Sequence, residues 1–176
     1  MNFTPGLLIS LLTFPGVVLR AAAQQFFCRG FRVAVLEVRY FGAGNPAGYV
    51  WHEPIDDFPA LWFVSLGPFL ISTALCIFFC SVGFLPLWEL KVADPAGYFF
   101  YWLGLSFGMH AFPSGDDLSR LWSLTPREAK QYNLLAILSL PLIAILYALN
   151  RALAFWAELA YGMAVGLLAP LAIFRP

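Results

Sequence analysis

Apolar residues occur along this chain in long blocks, which short stretches of polar residues, glycine and proline separate. Five blocks approach the roughly 20 residues that an α-helix needs to cross a bilayer. They are predicted at residues 7–28, 60–84, 96–112, 133–149 and 152–174. The last two also match a helical hairpin that does not cross the bilayer fully. The pattern predicts an all-α polytopic membrane protein with about four or five transmembrane helices.

Residues 31–58 follow a different pattern from the apolar blocks. The run Phe31–Phe41 is rich in β-branched and aromatic residues, with Val33, Val35, Glu37 and Arg39 alternating against Ala34, Leu36, Val38 and Tyr40, and Tyr49–His52 is a second strand-like run. Gly42–Gly48 between them is a cluster of turn residues. We predict a β-hairpin insert over residues 31–58. Because open strand edges cannot face lipid, the hairpin must lie at the interface or pack against the helices.

Proline, glycine and capping residues predict where the helices bend, begin and end. Pro15 and Gly16 predict a kink or a new helical half inside the first block. Thr125 is followed by Pro126 and, three residues on, by an acidic residue, which predicts a helix start. Asn150-Arg151 predicts a tight turn between the last two blocks.

Small residues recur at helical spacing in three of the apolar blocks. Gly104 with Gly108, and Gly162 with Gly166, are four residues apart, a spacing that lets helices approach closely. Cys76 and Cys80 share this spacing, and we interpret them as small buried residues rather than as a metal or redox pair. The three cysteines of the chain predict no disulfide framework.

Composition supports a membrane location. Of the 176 residues, 61% are hydrophobic and 11% are charged, and the mean hydropathy is +0.76. Soluble domains carry about 25% charged residues. We therefore predict one integral membrane domain over residues 1–176, with the lipid bilayer as its surroundings. A net charge of zero argues against nucleic acid. The oligomeric state stays open.

The first apolar block shares some features with a secretory signal peptide. Ala21–Ala23 resembles a cleavage site, but Met1–Phe3 carries no positive charge, and proline and glycine interrupt the apolar run. We predict that this block is a helix of the mature protein.

The distribution of basic residues predicts the orientation of the chain. With the N-terminus outside, seven basic residues fall on the cytoplasmic side: Arg29, Arg32, Arg39, Arg120, Arg127, Lys130 and Arg175. Only Lys91 and Arg151 then fall outside, so the positive-inside rule favours a cytoplasmic C-terminus. This orientation places Arg20 and Gln24 on the same side as His110 and Asp117.

Arg20 and Gln24 form the first candidate site. They are four residues apart, so on a helix they share a face. This is the spacing of the two histidines in a His-Glu-x-x-His zinc motif. Ala21 stands at the position of the glutamate in that motif. A charge such as Arg20 in an apolar segment is costly and predicts a partner or a function.

Four short segments in order carry a resemblance to a known family. They are Phe14-Pro-Gly-Val-Val-Leu, Gly48-Tyr-Val-Trp-His-Glu-Pro54, Gly67-Pro-Phe-Leu70 and Gly108-Met-His-Ala-Phe-Pro-Ser-Gly-Asp-Asp117. With the broken first span and the hairpin, residues 14–122 resemble the core of the membrane-embedded metallopeptidases related to the site-2 protease. The resemblance implies hydrolase ancestry, zinc as the cofactor of the family, and intramembrane proteolysis as its activity.

The residues that the family needs for catalysis are largely replaced in this chain. The resemblance places the first metal ligand on Arg20, the general base on Ala21, the second ligand on Gln24 and the third on Asp117. An arginine cannot ligate zinc and an alanine cannot activate water. Catalytic zinc needs three protein ligands and a water molecule. The resemblance therefore implies a pseudoprotease without bound zinc, whether the loss is natural or engineered.

Two further arrangements of these residues stay open. Arg20 either pairs with Asp117, where it would replace the charge of a lost metal ion, or extends to the lipid headgroups. His52, His110 and Asp117 either form a residual metal site, or the two histidines are hydrogen-bonded residues at the interface. Glu158 is interpreted as an interfacial residue near a helix start, and a role along a polar pathway is its alternative.

Residues 113–120 also resemble a site of different chemistry. Pro113-Ser-Gly with Ser119-Arg120 is similar to the Pro-Ser-Gly-His core of membrane lipid phosphatases. Asp116 occupies the position of the histidine in that core, and the upstream Lys-Arg-Pro element is missing. This interpretation ranks below the protease-like one.

The sequence thus predicts a site-2-protease-like membrane protein that binds a membrane protein or peptide in the groove where the family binds its substrate. One alternative is an active zinc metallopeptidase with the ligands His52, His110 and Asp117. Another is a structural membrane subunit. Enzymatic activity is left open.

Overall fold

A computed structural model describes residues 5–42, 44, 46–92, 94–153 and 155–174. The elements in chain order are the helices α1 (Pro5–Leu12) and α2 (Phe14–Gly30), the strands β1 (Val35–Arg39) and β2 (Tyr49–His52), and the helices α3 (Phe58–Phe84), α4 (Pro95–Met109), α5 (Gly115–Lys130), α6 (Leu134–Leu153) and α7 (Phe155–Phe174). A π-helical turn, Leu85–Glu89, extends α3. The fold is therefore mainly helical with one hairpin, as predicted.

Within the described residues, three helical segments are long and apolar enough to cross a membrane: Phe58–Glu89, Leu134–Arg151 and Trp156–Phe174. They are compatible with a membrane protein. The predicted count of four or five spans is not confirmed, because α2 has 17 residues and α4 has 15. Both are shorter than the roughly 20 residues that a perpendicular crossing requires.

One predicted helix boundary agrees with the structure and two differ from it. The first block divides at Thr13, and its second half, α2, begins at Phe14 with Pro15 in the first turn, as predicted. The predicted start at Thr125 is wrong, because the Thr125 hydroxyl donates to the Leu121 carbonyl 2.6 Å away and α5 continues through Pro126. The predicted turn at Asn150-Arg151 is also wrong, since α6 runs through it to Leu153.

Close packing around α3 forms the centre of the molecule, as the small residues predict. Cys76 and Cys80 of α3 are completely buried. A Cβ atom on Gly104 would lie 2.6 Å from the Cys80 sulfur, so α4 can approach here only through glycine. A Cβ atom on Gly162 would lie 2.5 Å from the Met109 nitrogen, which brings α7 equally close to α4. The predicted close approach of these helices is confirmed.

The contacts of α6 and α7 show which helix ends lie together. The ring of Phe174, at the end of α7, stacks on that of Phe84, at the end of α3, with centroids 6.0 Å apart. Asn150 lies beside the first residue of α5. Asn150 is therefore at the same end as Asp117, whereas the predicted topology put them on opposite sides.

Met1–Phe3 and Arg175, which entered the sequence arguments, lie outside the described residues.

The hairpin packs against the helices, as an open-edged sheet in a membrane protein must. Strands β1 and β2 pair antiparallel, with Val38 opposite Val50 and an irregularity between Val35 and Glu37. The first strand is shorter than the predicted run. Val50 is buried in the main apolar core, and this contact fixes β2 beside α2.

Candidate functional site

A cavity of about 680 Å³, lined by both charged and apolar residues, opens between α2, the hairpin and the first turn of α5. Ligand pockets typically have volumes of roughly 300–1,000 Å³. The ends of α6 and α7 complete its wall with Asn150 and Glu158. Its lining residues are Arg20, Ala21, Gln24, Pro46, Gly48, Tyr49, Val50, Trp51, His52, Pro113, Ser114, Gly115, Asp116, Asp117, Arg120, Asn150 and Glu158.

Helix α2 contributes the three positions that the predicted resemblance assigns to a zinc motif. Arg20, Ala21 and Gln24 all line the cavity because residues one, three and four apart on a helix can share a face. Ala21 and Gln24 are buried, and Arg20 is half-buried. The structure therefore brings the three positions to one cavity with Asp117.

Asp117 is held by a capping arrangement at the start of α5. The Ser114 hydroxyl accepts the backbone N–H of Asp117 at 3.2 Å and donates to its Oδ2 at 2.7 Å. Oδ2 also accepts from the Gln24 amide nitrogen at 3.1 Å. A carboxylate in the first turn is further stabilised by the helix dipole. Asp117 is thus a fixed, buried anion that links α5 to α2.

His52 joins the hairpin to Asp117. Its Nδ1 lies 2.8 Å from the carbonyl oxygen of Glu53, and its Nε2 lies 3.6 Å from Oδ1 of Asp117. A carbonyl oxygen can only accept, so Nδ1 carries a proton. Nε2 can point an N–H at the Asp117 carboxylate only if it is protonated as well as Nδ1. The arrangement favours the imidazolium form of His52.

The pKa values of both residues shift in the directions that this contact requires. The interaction with the Asp117 carboxylate raises the pKa of His52 above its ordinary value of 6.5, although burial acts against it. Burial alone would raise the pKa of Asp117, but the contacts with His52 and Ser114 and the charge of Arg20 lower it below its ordinary value of 3.8. Each residue thus stabilises the charged form of the other.

The stability of the protein is expected to depend on pH through this pair. The raised pKa of His52 contributes stability that is full below pH 6.5 and is lost as the pH rises through the folded-state value. The lowered pKa of Asp117 contributes stability above pH 3.8 that is lost as the pH falls through its folded-state value. We expect the unaltered protein to lose about 1 kcal/mol of stability as the pH rises through the folded-state pKa of His52. We expect this loss to be absent in the variant His52→Gln. Thermal unfolding in detergent between pH 5 and 9 measures it, and an unchanged alkaline slope in the variant would contradict the assignment.

The predicted ion pair between Arg20 and Asp117 is replaced by the one between His52 and Asp117. The charge of Arg20 lowers the pKa of Asp117 from beyond the 4 Å of a direct ion pair. Among the described residues, no hydrogen bond or ion pair holds the Arg20 guanidinium. Arg20 therefore enters the cavity as an unpaired cation.

His110 does not join the other predicted ligands. It is buried at the end of α4, where its Nε2 lies 2.7 Å from the Thr13 hydroxyl. That hydroxyl donates to the Ile9 carbonyl, so the Nε2 of His110 must be the donor to Thr13. No three His, Cys, Asp or Glu side chains within the described part of the chain converge as zinc requires. The predicted set His52, His110 and Asp117 does not suit a zinc ion.

The cavity also contains residues that the sequence did not single out. Tyr49 and Trp51 provide aromatic surface, and Ser114 fixes Asp117. Ser114 and Asp117 have the spacing of a capping box. This local pattern marks the true helix start, whereas the sequence prediction placed a helix start at Thr125. No local pattern indicates Asn150, because a helix end remote in sequence brings it to the cavity.

Comparisons with protein-family models, with curated proteins and with solved structures found no match to this chain.

Proposed function

We propose that this protein is a site-2-protease-like membrane pseudoprotease that binds an extended peptide segment along β2. One observation supports the proposal above all. Five consecutive residues of the hairpin, Gly48 to His52, line the cavity. Alternate side chains of a strand point to opposite faces. Because residues from both faces of β2 line the cavity, the backbone edge of this strand must face the cavity.

That edge is suited to strand addition. Strand β2 pairs with β1 along one side, and within the described residues the sheet has no third strand. An open edge presents a row of unpaired backbone N–H and C=O groups, which recruits extended peptides. Trp51 is 67% exposed and provides apolar contact area beside this edge. A peptide bound here would be a ligand rather than a substrate, because Arg20, Ala21 and Gln24 replace the catalytic motif.

Photo-cross-linking to a defined peptide tests the proposal. The probe is a biotin-labelled, C-terminally amidated peptide of about six alternating Thr and Val residues, the length of an average strand. A photoreactive phenylalanine analogue replaces Trp51 in the purified, detergent-solubilised protein. We expect an adduct that an excess of unlabelled peptide removes.

The matched control places the same analogue at Leu36. Leu36 is 66% exposed, almost as much as Trp51, but it belongs to β1 and does not line the cavity. We expect no saturable adduct there. Equal labelling at positions 36 and 51 would indicate nonspecific association, and no labelling at position 51 would overturn the proposed function.

The zinc metallopeptidase remains the enzymatic alternative, and a structural subunit is the other. A zinc enzyme predicts stoichiometric metal in the purified protein. A structural subunit predicts that helix-packing variants affect function and that Asp117 variants affect it only through folding. The separate environment of His110 and the open edge of β2 favour peptide binding over both.

We also propose that the cavity faces the cytoplasm. Arg29, Arg32 and Arg39 follow α2 at the hairpin, and the positive-inside rule places such clusters on the cytoplasmic side. The stacking of Phe174 on Phe84 supports a C-terminal end of α7 on the opposite side. Cysteine labelling from outside intact cells, at a cysteine introduced at Leu36, tests the orientation, and efficient labelling would contradict it.

A further inference from the structure

Two of the charges around the cavity, Arg20 and Glu158, are half-buried and have no ion-pair partner at contact distance. Three cationic and three anionic side chains line it if His52 is protonated: Arg20, His52, Arg120, Asp116, Asp117 and Glu158. Of these, His52 and Asp117 pair at 3.6 Å. Asp116 and Arg120 are exposed and four residues apart on α5, where water screens both. Arg20 and Glu158 remain, each half-buried.

Neither nearby carboxylate uses the donors of Arg20. Oδ2 of Asp117 accepts from Gln24 and Ser114, and Oδ1 faces His52. Glu158 enters from α7 and makes no ion pair with Arg20 within 4 Å. A guanidinium carries five N–H donors in a fixed fork. The donors of Arg20 are thus available to a group that enters the cavity.

We infer that Arg20 binds a carboxylate of the peptide that occupies the cavity, an inference that rests on the proposed function. Planar carboxylates match the guanidinium fork with two parallel hydrogen bonds. A phosphate group, with a charge of about −1.5 to −2, would bring more negative charge towards Asp116, Asp117 and Glu158 than a carboxylate does.

Gln24 supplies a second contact next to Arg20. Its amide nitrogen donates to Asp117, so the amide orientation is fixed and its oxygen stays free to accept. Arg20 and Gln24 are one helical turn apart and both line the cavity that β2 lines. A peptide along β2 would therefore present its carboxylate to Arg20 and a backbone N–H to Gln24.

Two fluorescent Thr-Val peptides that differ only at the C-terminus test the inference by anisotropy with the detergent-solubilised protein. One ends in a free carboxylate and the other in an amide. We expect the carboxylate peptide to bind about ten-fold more tightly or better. Arg20→Gln should remove this preference, so that the two peptides bind the variant equally well. Arg20→Lys, which keeps the charge but lacks the fork, should retain part of it.

The control variant is Arg29→Gln, which removes an exposed cation of the same helix outside the cavity and should keep the full preference. A third peptide with an amidated end and one internal Asp identifies the source of the carboxylate. If this peptide binds more tightly than the amidated peptide without Asp, Arg20 binds side-chain carboxylates as well. If the two bind equally, Arg20 binds only the C-terminal carboxylate.

Two results would overturn the inference, and they are distinguishable. If the carboxylate and amide peptides bind the unaltered protein equally well, Arg20 is not a carboxylate receptor, while strand binding stands. If Arg20→Lys and Arg20→Gln both keep the full preference, another group binds the carboxylate. If neither peptide binds, the proposed function itself fails, as the absence of a cross-link at position 51 would show independently.

Discussion

Replacing Asp117 by alanine is expected to destabilise the folded protein by about 3–5 kcal/mol, the usual cost of removing one partner from a buried charged pair. The change leaves the Gln24 amide, the Ser114 hydroxyl and the His52 ring without their shared acceptor. Each unpaired buried polar group adds a desolvation cost. Thermal unfolding of the protein in detergent micelles, followed by circular dichroism, measures the loss.

Asp116→Ala is the matched control for this prediction. Asp116 also lies in the first turn of α5 and lines the cavity, but it is exposed. Both variants lose a favourable charge near the helix N-terminus, an effect of about 0.3–1 kcal/mol. The difference between them isolates the buried contacts of Asp117. Equal destabilisation by the two variants would contradict the central place of Asp117.

A double variant separates the contribution of His52. If the ring stabilises the fold through Asp117, His52→Gln should cost little further stability once Asp117 is alanine, because residues in contact are not additive. Full additivity of the two effects would show that His52 acts through the Glu53 carbonyl alone.

Restoring the zinc motif is expected to change metal content from none to about one zinc ion per chain. The variant carries Arg20→His, Ala21→Glu and Gln24→His. Positions 20 and 24 line the same cavity as Asp117, and the side chains of Gln24 and Asp117 are already 3.1 Å apart. An imidazole at position 24 would therefore lie beside the third ligand. Elemental analysis of the purified protein measures the result.

The control for metal binding shifts the motif by one residue, with Ala21→His, Ala22→Glu and Gln25→His. Ala22 is exposed, and Gln25 accepts a hydrogen bond from the Tyr40 hydroxyl rather than facing Asp117. We expect no stoichiometric zinc in this variant, nor in the restored variant that also carries Asp117→Asn. Zinc in the unaltered protein would overturn the pseudoprotease proposal. Its absence from the restored variant would contradict the family resemblance.

Properties that depend on neighbouring residues could be predicted from the sequence. The apolar blocks predicted the helical regions, and the alternation followed by a glycine-rich turn predicted the hairpin. The spacing of Gly104 and Gly108 predicted a close helix approach, because residues four apart share one helix face. Burial of Cys76 and Cys80 followed from the same periodicity.

Two local sequence patterns predicted helix boundaries that the structure does not have. Thr125 followed by Pro126 has the form of a helix start, yet the start lies at Ser114. Asn150-Arg151 has the composition of a turn, yet α6 continues through it to Leu153. Tertiary packing decides between such alternatives, since the intrinsic preferences involved are weak.

By itself, the sequence determined a helical, strongly apolar chain with a hairpin. It also indicated that Arg20, Gln24 and Asp117 belong to one site. Only the tertiary structure decided their partners: Gln24 and Asp117, 93 positions apart, share a hydrogen bond, His52 takes the place predicted for Arg20, and His110 turns to Thr13. Contacts between distant segments depend on how whole helices pack, and periodicity along the chain records only which face of each helix is buried.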